Sequence, residues 1–180
     1  MKNIYLTFLL IASTCLFVGC GEDDDPVAIA GCIDSAACNY NADATEDDGS
    51  CQVPSENELV LVDFDETVTG SINQELVTYI DIRNESCEEI TISASQVGPG
   101  VQPLFAQAKF CLGDSDTGVC YAYGTNESQP EDAYSIDSFE EGEFFTGYLM
   151  AYTAGTYTMT YTIESCCGEQ LEVDVTFIAE

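Results

Sequence analysis

Histidine is absent from this chain of 180 residues, and Lys and Arg together number three. Each scarcity removes a class of function. Without histidine, the usual zinc and haem ligand sets lose their main nitrogen donor. Nucleophile-and-base catalysis leans on histidine or lysine, and beyond Lys2 the chain keeps a single lysine, Lys109. Recognition of a polyanion needs clustered Lys and Arg, so nucleic acid and anionic membrane surfaces are excluded as partners. Long apolar runs are lacking too. A membrane-spanning helix needs about 20 consecutive apolar residues, and the one candidate, Ile4 to Val18, is shorter and ends at Gly19-Cys20 followed directly by acid.

What the chain has in excess is negative charge. Removal of an N-terminal leader takes away Lys2 and no acid, so Arg83 and Lys109 then stand against 33 Asp and Glu, a net charge of −31. Such self-repulsion opposes compaction and favours solubility, and cations are its natural counterparts. Paired carboxylates can hydrolyse glycosides, but no acidic pair stands out from the solvated background. The expectation is a protein that is not an enzyme.

The first residues, MKNIYLTFLLIASTCLFVGC, have one positive charge, an apolar stretch, and a small residue before cysteine, which reads as a signal peptide over 1–19. Phe17-Val18-Gly19-Cys20 resembles the lipobox of bacterial lipoproteins, and the resemblance implies acylation of Cys20. Each buried CH₂ of an acyl chain contributes about 0.8 kcal/mol, so several chains anchor a protein to a membrane without spanning it. Residues 20–30 form the acylated cysteine and an acidic linker. Its GEDDD at 21–25 is similar to the export signal of surface lipoproteins in Bacteroidetes, the other reading being a solvated tether.

Residues 31–54 form a small acidic module whose segment GCIDSAACNYNADATEDDGSC (31–51) has almost nothing apolar to bury. Asn39, Asn41, Asp43, Asp47 and Asp48 offer hard oxygens of the kind calcium takes. An EF-hand pattern then fails, with Ala44 at the glycine position and Ser50 at the bidentate-acid position. Two readings stand: a calcium site, or a disulfide-stapled spacer with solvated acids. A closed loop such as Cys32–Cys51 restricts the unfolded chain by roughly 3 kcal/mol and replaces a core. The segment closely resembles the GCTDPxACNYNPxATxDDGSC module of extracellular proteins of marine Bacteroidetes, with Ile33, Ser35 and Ala42 as departures. The resemblance implies export and says little about biochemical role.

From residue 56 to 180 the period is two. ITISAS (90–95), TYTMTYTI (156–163) and LEVDVTFI (171–178) alternate apolar and polar side chains, as half-buried strands do. Further strands are expected at 59–68, 75–84, 106–112, 118–123 and 143–152, separated by turn signals. About eight short strands without a helical period argue for an all-β fold, an antiparallel immunoglobulin-like β-sandwich. Ala154 to Tyr157 resembles the tyrosine-corner region of such domains.

Setting aside Cys15 and Cys20, eight cysteines belong to the exported part, which reads as a disulfide framework. Cys111 and Cys120 flank a polar turn symmetrically and are expected to pair across a hairpin. This FCLGDSDTGVCY element also resembles the Phe-Cys-Trp-Gly…Cys-Tyr hairpin of β-sandwich domains in secreted marine Bacteroidetes proteins. Cys87 is a candidate partner for one of Cys166 and Cys167, whose adjacency also admits a redox or soft-metal role. Three cysteines in the module and five in the sandwich are odd counts, so full oxidation requires a bridge between them. Cys38 is the module's nominee, because relatives of the module can carry a non-cysteine there.

Together these features lead to an outer-membrane, lipid-anchored lipoprotein at the cell surface, acting as a non-catalytic binding or adhesion module. The expected ligand is an extracellular protein or glycan, and the first surface to test is Tyr121, Tyr123 and the acid-rich stretch from Glu131 to Glu143. The alternative is a structural or assembly subunit of an envelope complex.

Overall fold

A computed structural model describes residues 27–98 and 105–180. The signal peptide, the acylation site Cys20 and the acidic patch at 21–25 lie outside the described residues.

The module contains two very short strands, β1 (Ala30–Gly31) and β2 (Glu46–Asp47), paired in parallel. Its only buried apolar residues are Cys32 and Ala37. Turns and covalent bonds take the place of a core: Asn41 N donates to the Cys32 carbonyl at 2.9 Å, and Cys32 is bonded to Cys51.

Ten strands follow: β3 (Leu59–Phe64), β4 (Thr67–Gly70), β5 (Glu75–Asn84), β6 (Ile90–Val97), β7 (Ala106–Leu112), β8 (Val119–Cys120), β9 (Tyr134–Ile136), β10 (Glu141–Ala151), β11 (Gly155–Ser165) and β12 (Gln170–Ala179). They build two five-stranded sheets, ordered β3-β5-β10-β7-β8 and β4-β12-β11-β6-β9. Within these sheets every pairing is antiparallel except β4 with β12. The result is an all-β, immunoglobulin-like sandwich. Among the described residues no helix is long and apolar enough to cross a membrane.

The alternating segments place one side chain in two between the sheets. Tyr157, Met159, Tyr161 and Ile163 of β11 and Val173, Val175 and Phe177 of β12 are buried, while Glu172 and Asp174 face solvent. Fully burying one large apolar side chain contributes about 1.5–3 kcal/mol, and this is the term that opposes the repulsion of the acids. An aromatic row runs through the core, with ring centroids of Tyr121 and Phe110 at 4.7 Å, Phe110 and Phe145 at 5.5 Å, and Phe145 and Tyr161 at 4.9 Å.

Three expectations about strands change. The segment 59–68 is two strands, not one. After Phe64 the chain crosses to the other sheet, where Thr176 N donates to the Glu66 carbonyl at 2.9 Å and β4 runs beside β12. Both Phe64 and Val68 still pack on the core, so a single apolar pattern spans the crossing. The strand expected at 118–123 is only β8, although Tyr121 N and Gly124 N continue to donate to carbonyls of β7. The third change is β9, unforeseen because it is three residues among acids; its Ile136 is fully buried opposite Ile90.

The hairpin turn between Cys111 and Cys120 is organised by Asp114. Its carboxylate accepts from Asp116 N and Thr117 N, both at 2.7 Å, and from the Tyr134 hydroxyl at 2.6 Å. These donors hold the carboxyl down at about 2. Gly113 precedes it at φ +99°, where a Cβ would also strike the Tyr134 ring.

Tyr157 ties the β10–β11 turn, its hydroxyl donating to the Thr153 carbonyl at 2.8 Å, which is the hydrogen bond of a tyrosine corner. At the opposite end of β11, the buried Asn84 amide donates to the carbonyls of Glu88, Ile136 and Asp137, and its oxygen accepts from Ser86. Asn84 thereby fixes the β5–β6 connection that carries Cys87.

Gly147 on β10 leaves room for the Tyr161 ring: a Cβ there would lie 2.5 Å from Tyr161 Cζ and 3.0 Å from Thr78 Cγ2. Because that ring is locked against Phe145, Gly147→Ala is expected to destabilise the fold by about 1–3 kcal/mol. Adding Tyr161→Leu should recover part of the loss, and urea unfolding of the two variants checks both.

Candidate functional site

Three disulfides form among the described residues: Cys32–Cys51, Cys38–Cys87 and Cys111–Cys120, with Cα separations of 4.8, 5.3 and 4.0 Å. The expected link from Cys87 to Cys166 or Cys167 is corrected. Cys87 joins Cys38, because the Asn84-held connection presents it to the module, and Cys166 and Cys167 remain thiols.

Four of the five oxygen-bearing residues nominated for calcium use their side chains locally, and the fifth, Asp43, takes part through its backbone N–H. Asn41 Oδ1 accepts from Asp43 N at 3.0 Å, Asp47 Oδ1 from Gly49 N at 3.1 Å, and Asp48 Oδ1 from Ser50 N at 2.9 Å. The Asn39 side chain clasps the other end of the loop, donating to the Ser50 carbonyl at 2.6 Å and accepting from Gln52 N at 2.8 Å. Their short side chains satisfy turn N–H groups in a segment with too few regular backbone bonds. Among the described residues no group of three or more His, Cys, Asp or Glu side chains is placed to hold a metal ion.

A different constellation lies on the outer face of the first sheet. Register sets Tyr148 of β10 opposite Lys109 of β7 on one side and Val77 of β5 on the other, with Tyr79 two residues further along β5. Tyr79, Tyr148 and Lys109 therefore form a diagonal row across three strands. Lys109 Nζ sits 4.7 Å from the Tyr148 ring centroid and 5.0 Å from that of Tyr123, and pairs with Glu75 Oε1 at 2.7 Å. The Tyr123 hydroxyl donates to the same Glu75 carboxylate. Lys109 and this hydroxyl hold the Glu75 carboxyl below its usual value, while burial and the Glu75 charge push the Tyr123 phenol up. The row is thus braced, with Tyr79 47% exposed at its open end.

Beside Tyr79 is a recess of about 160 Å³ lined by Asp63, Phe64, Asp65, Asp81 and Glu143. Partial burial, with the Asp63 and Glu141 charges nearby, raises the Asp81 carboxyl. Arg83, the other cation of this face, is occupied by Glu85 and Glu141. The face therefore offers aromatic surface and hydrogen-bond acceptors, and its two cations are already paired.

Of the surface expected from the sequence, Tyr123 belongs to this face and Tyr121 does not. Tyr121 is buried against Phe110, and its hydroxyl donates to Asp132 at 3.1 Å. Tyr79, Tyr148 and Lys109 escaped sequence reading, since each sits in a different strand. The outward positions of β5, β7 and β10 were the available signal, and strand order was needed to join them.

No family profile and no curated protein sequence matches the chain. Solved structures with a similar sandwich include the PapD-like domain 7 of human CEP192, with a TM-score of 0.43, 8% identity, and coverage of 69% of this chain and 86% of that one. A conjugative transposon lipoprotein from Bacteroides eggerthii has a TM-score of 0.40 and 12% identity over 66% of this chain and 93% of its own. A lipoprotein from Bacteroides thetaiotaomicron has a TM-score of 0.40 and 13% identity over 74% and 88%.

Because the Asn39, Asn41, Asp47 and Asp48 side chains already serve the module's turns, calcium titration of the oxidised chain is expected to give only weak heat that fades with added salt. Asp43→Asn and Asp47→Asn should leave it unchanged. A saturable isotherm lost in these variants would make the module a calcium site instead.

Proposed function

We propose that this chain is a non-catalytic binding module, held at the bacterial outer membrane by acylation of Cys20, whose ligand is a neutral glycan bound on the outer face of the β5-β10-β7 sheet. The observation that carries the reading is the diagonal row of Tyr79, Tyr148 and Lys109 beside the acidic recess. Tyrosine rings present a flat apolar body with a polar tip, suited to the apolar face of a sugar. Carboxylates at Asp63, Asp65 and Glu143 accept hydrogen bonds and so suit its hydroxyl groups.

Net charge narrows the ligand further. At −31 without the leader, anionic or sulfated polymers are repelled, whereas a neutral polymer meets no such barrier. The acidic stretch after Cys20 supports placement at the cell surface, and the stapled module supports a role as spacer between lipid and sandwich.

Affinity electrophoresis through a panel of neutral polysaccharides tests the reading. The chain is expected to be retarded by at least one of them, with retardation lost in the Tyr79→Ala, Tyr148→Ala double variant and absent on sulfated polymers. No retardation on any polymer, together with one stoichiometric protein partner after mild crosslinking, would overturn it in favour of an envelope assembly subunit. Protease treatment of intact cells should release peptides from the sandwich; full protection would exclude the cell surface.

A further inference from the structure

The turn between β11 and β12 carries Cys166 and Cys167, both exposed, with their sulfurs 3.4 Å apart. Every other cysteine among the described residues is in a disulfide, so this pair takes no part in stapling the fold. The turn is held by other atoms. Ser165 Oγ donates to Glu58 Oε1 at 2.6 Å and accepts from Cys167 N at 3.3 Å and Glu169 N at 3.2 Å, while Cys166 N donates to the Thr91 carbonyl at 2.8 Å. A change in the bonding of the sulfurs therefore leaves the strand ends tied.

Adjacent cysteines have unusual chemistry for a geometric reason. Cα atoms across a trans peptide are about 3.8 Å apart, below the roughly 4.4–6.8 Å that a disulfide ordinarily spans. A bridge between them closes a strained ring that opens more readily than a structural disulfide. The two thiols are also unequal. Hydrogen bonding from the Thr91 backbone and from Cys167 lowers the Cys166 thiol, and Cys166 beside it pushes Cys167 up to about 11. The thiolate is the attacking species, which makes Cys166 the nucleophile and Cys167 the resolving partner.

Next to Cys167 opens a recess of about 530 Å³ whose walls include Ser55, Ser86 and three carboxylates, Glu56, Glu58 and Glu169. It has room for a small molecule, and its charge selects against anions. We propose that Cys166 and Cys167 form a thiol–disulfide exchange site that accepts small disulfides of neutral or positive charge. The Cys166 thiolate attacks one sulfur of R–S–S–R, forming a mixed disulfide and releasing one R–S⁻. Cys167 then loses its proton to solvent and attacks the Cys166 sulfur, expelling the second R–S⁻ and closing the Cys166–Cys167 bridge. Two protein thiols are oxidised and one external disulfide is reduced to two thiols. An external dithiol drives the reverse reaction.

The full chain, with its three structural bridges verified by peptide mapping, is treated with cationic cystamine or anionic oxidised glutathione and followed by mass spectrometry. Cystamine is expected to react faster at low salt, the two rates converging as salt is raised. The product should be a Cys166–Cys167 peptide lighter by two hydrogens, whereas Cys167→Ser should stop at a lasting adduct on Cys166. A limiting dose of iodoacetamide should label Cys166 in preference to Cys167, the advantage in thiolate fraction outweighing the lower intrinsic nucleophilicity. Equal labelling, faster reaction with oxidised glutathione, covalent dimers, or a bridge from either residue to Cys20 or Cys87 would each overturn the proposal.

Discussion

Apolar burial between two sheets is the constraint on which the rest of this molecule depends, because a chain so rich in carboxylates has little else to hold it compact. The period of two solves the conflict locally. In β12, Val173, Val175 and Phe177 enter the core while Glu172 and Asp174, their immediate neighbours, remain in water. Each of these two acids is thereby placed one residue from the apolar groups that offset its repulsion. The aromatic row from Tyr121 to Tyr161 runs through the core, and Gly147 leaves the space that lets the last ring fit.

Around that core, polar groups are used where the backbone leaves regular pairing. Asn84 satisfies three carbonyls at the end of β5, Asp114 gathers the amides of the 111–120 turn, and Ser165 ties the β11–β12 turn to Glu58. The module extends the same economy to a segment with no core. Asx turns and Cys32–Cys51 shape it, and Cys38–Cys87 joins it to the connection that Asn84 immobilises.

Two regions are left over after this structural accounting. One is the tyrosine face, whose rings pack against solvent and whose lysine is spent on bracing them. The other is the Cys166–Cys167 turn, whose sulfurs hold nothing together. Residues that fold stability does not explain are where chemistry with other molecules has room to act. Placed on different elements, the two regions allow the proposed ligand binding and the proposed thiol exchange to be tested separately by mutation.

Much of the architecture was legible in the amino-acid order. Alternation in 90–95, 156–163 and 171–178 determined strands with one buried face, because a side-chain period of two admits no other regular burial. Symmetry about the 113–118 turn brought Cys111 to Cys120, and odd cysteine counts demanded a link between module and sandwich. Which cysteines made that link was a tertiary matter, since Cys87 and the 166–167 pair are equally plausible until the β5–β6 connection is folded. The split of 59–68 between two sheets was hidden for a related reason: both halves face the same core and carry the same pattern. The proposed binding face was the least legible, because Tyr79, Lys109 and Tyr148 lie far apart in sequence and share a surface only through the order β5-β10-β7, which long-range packing alone decides.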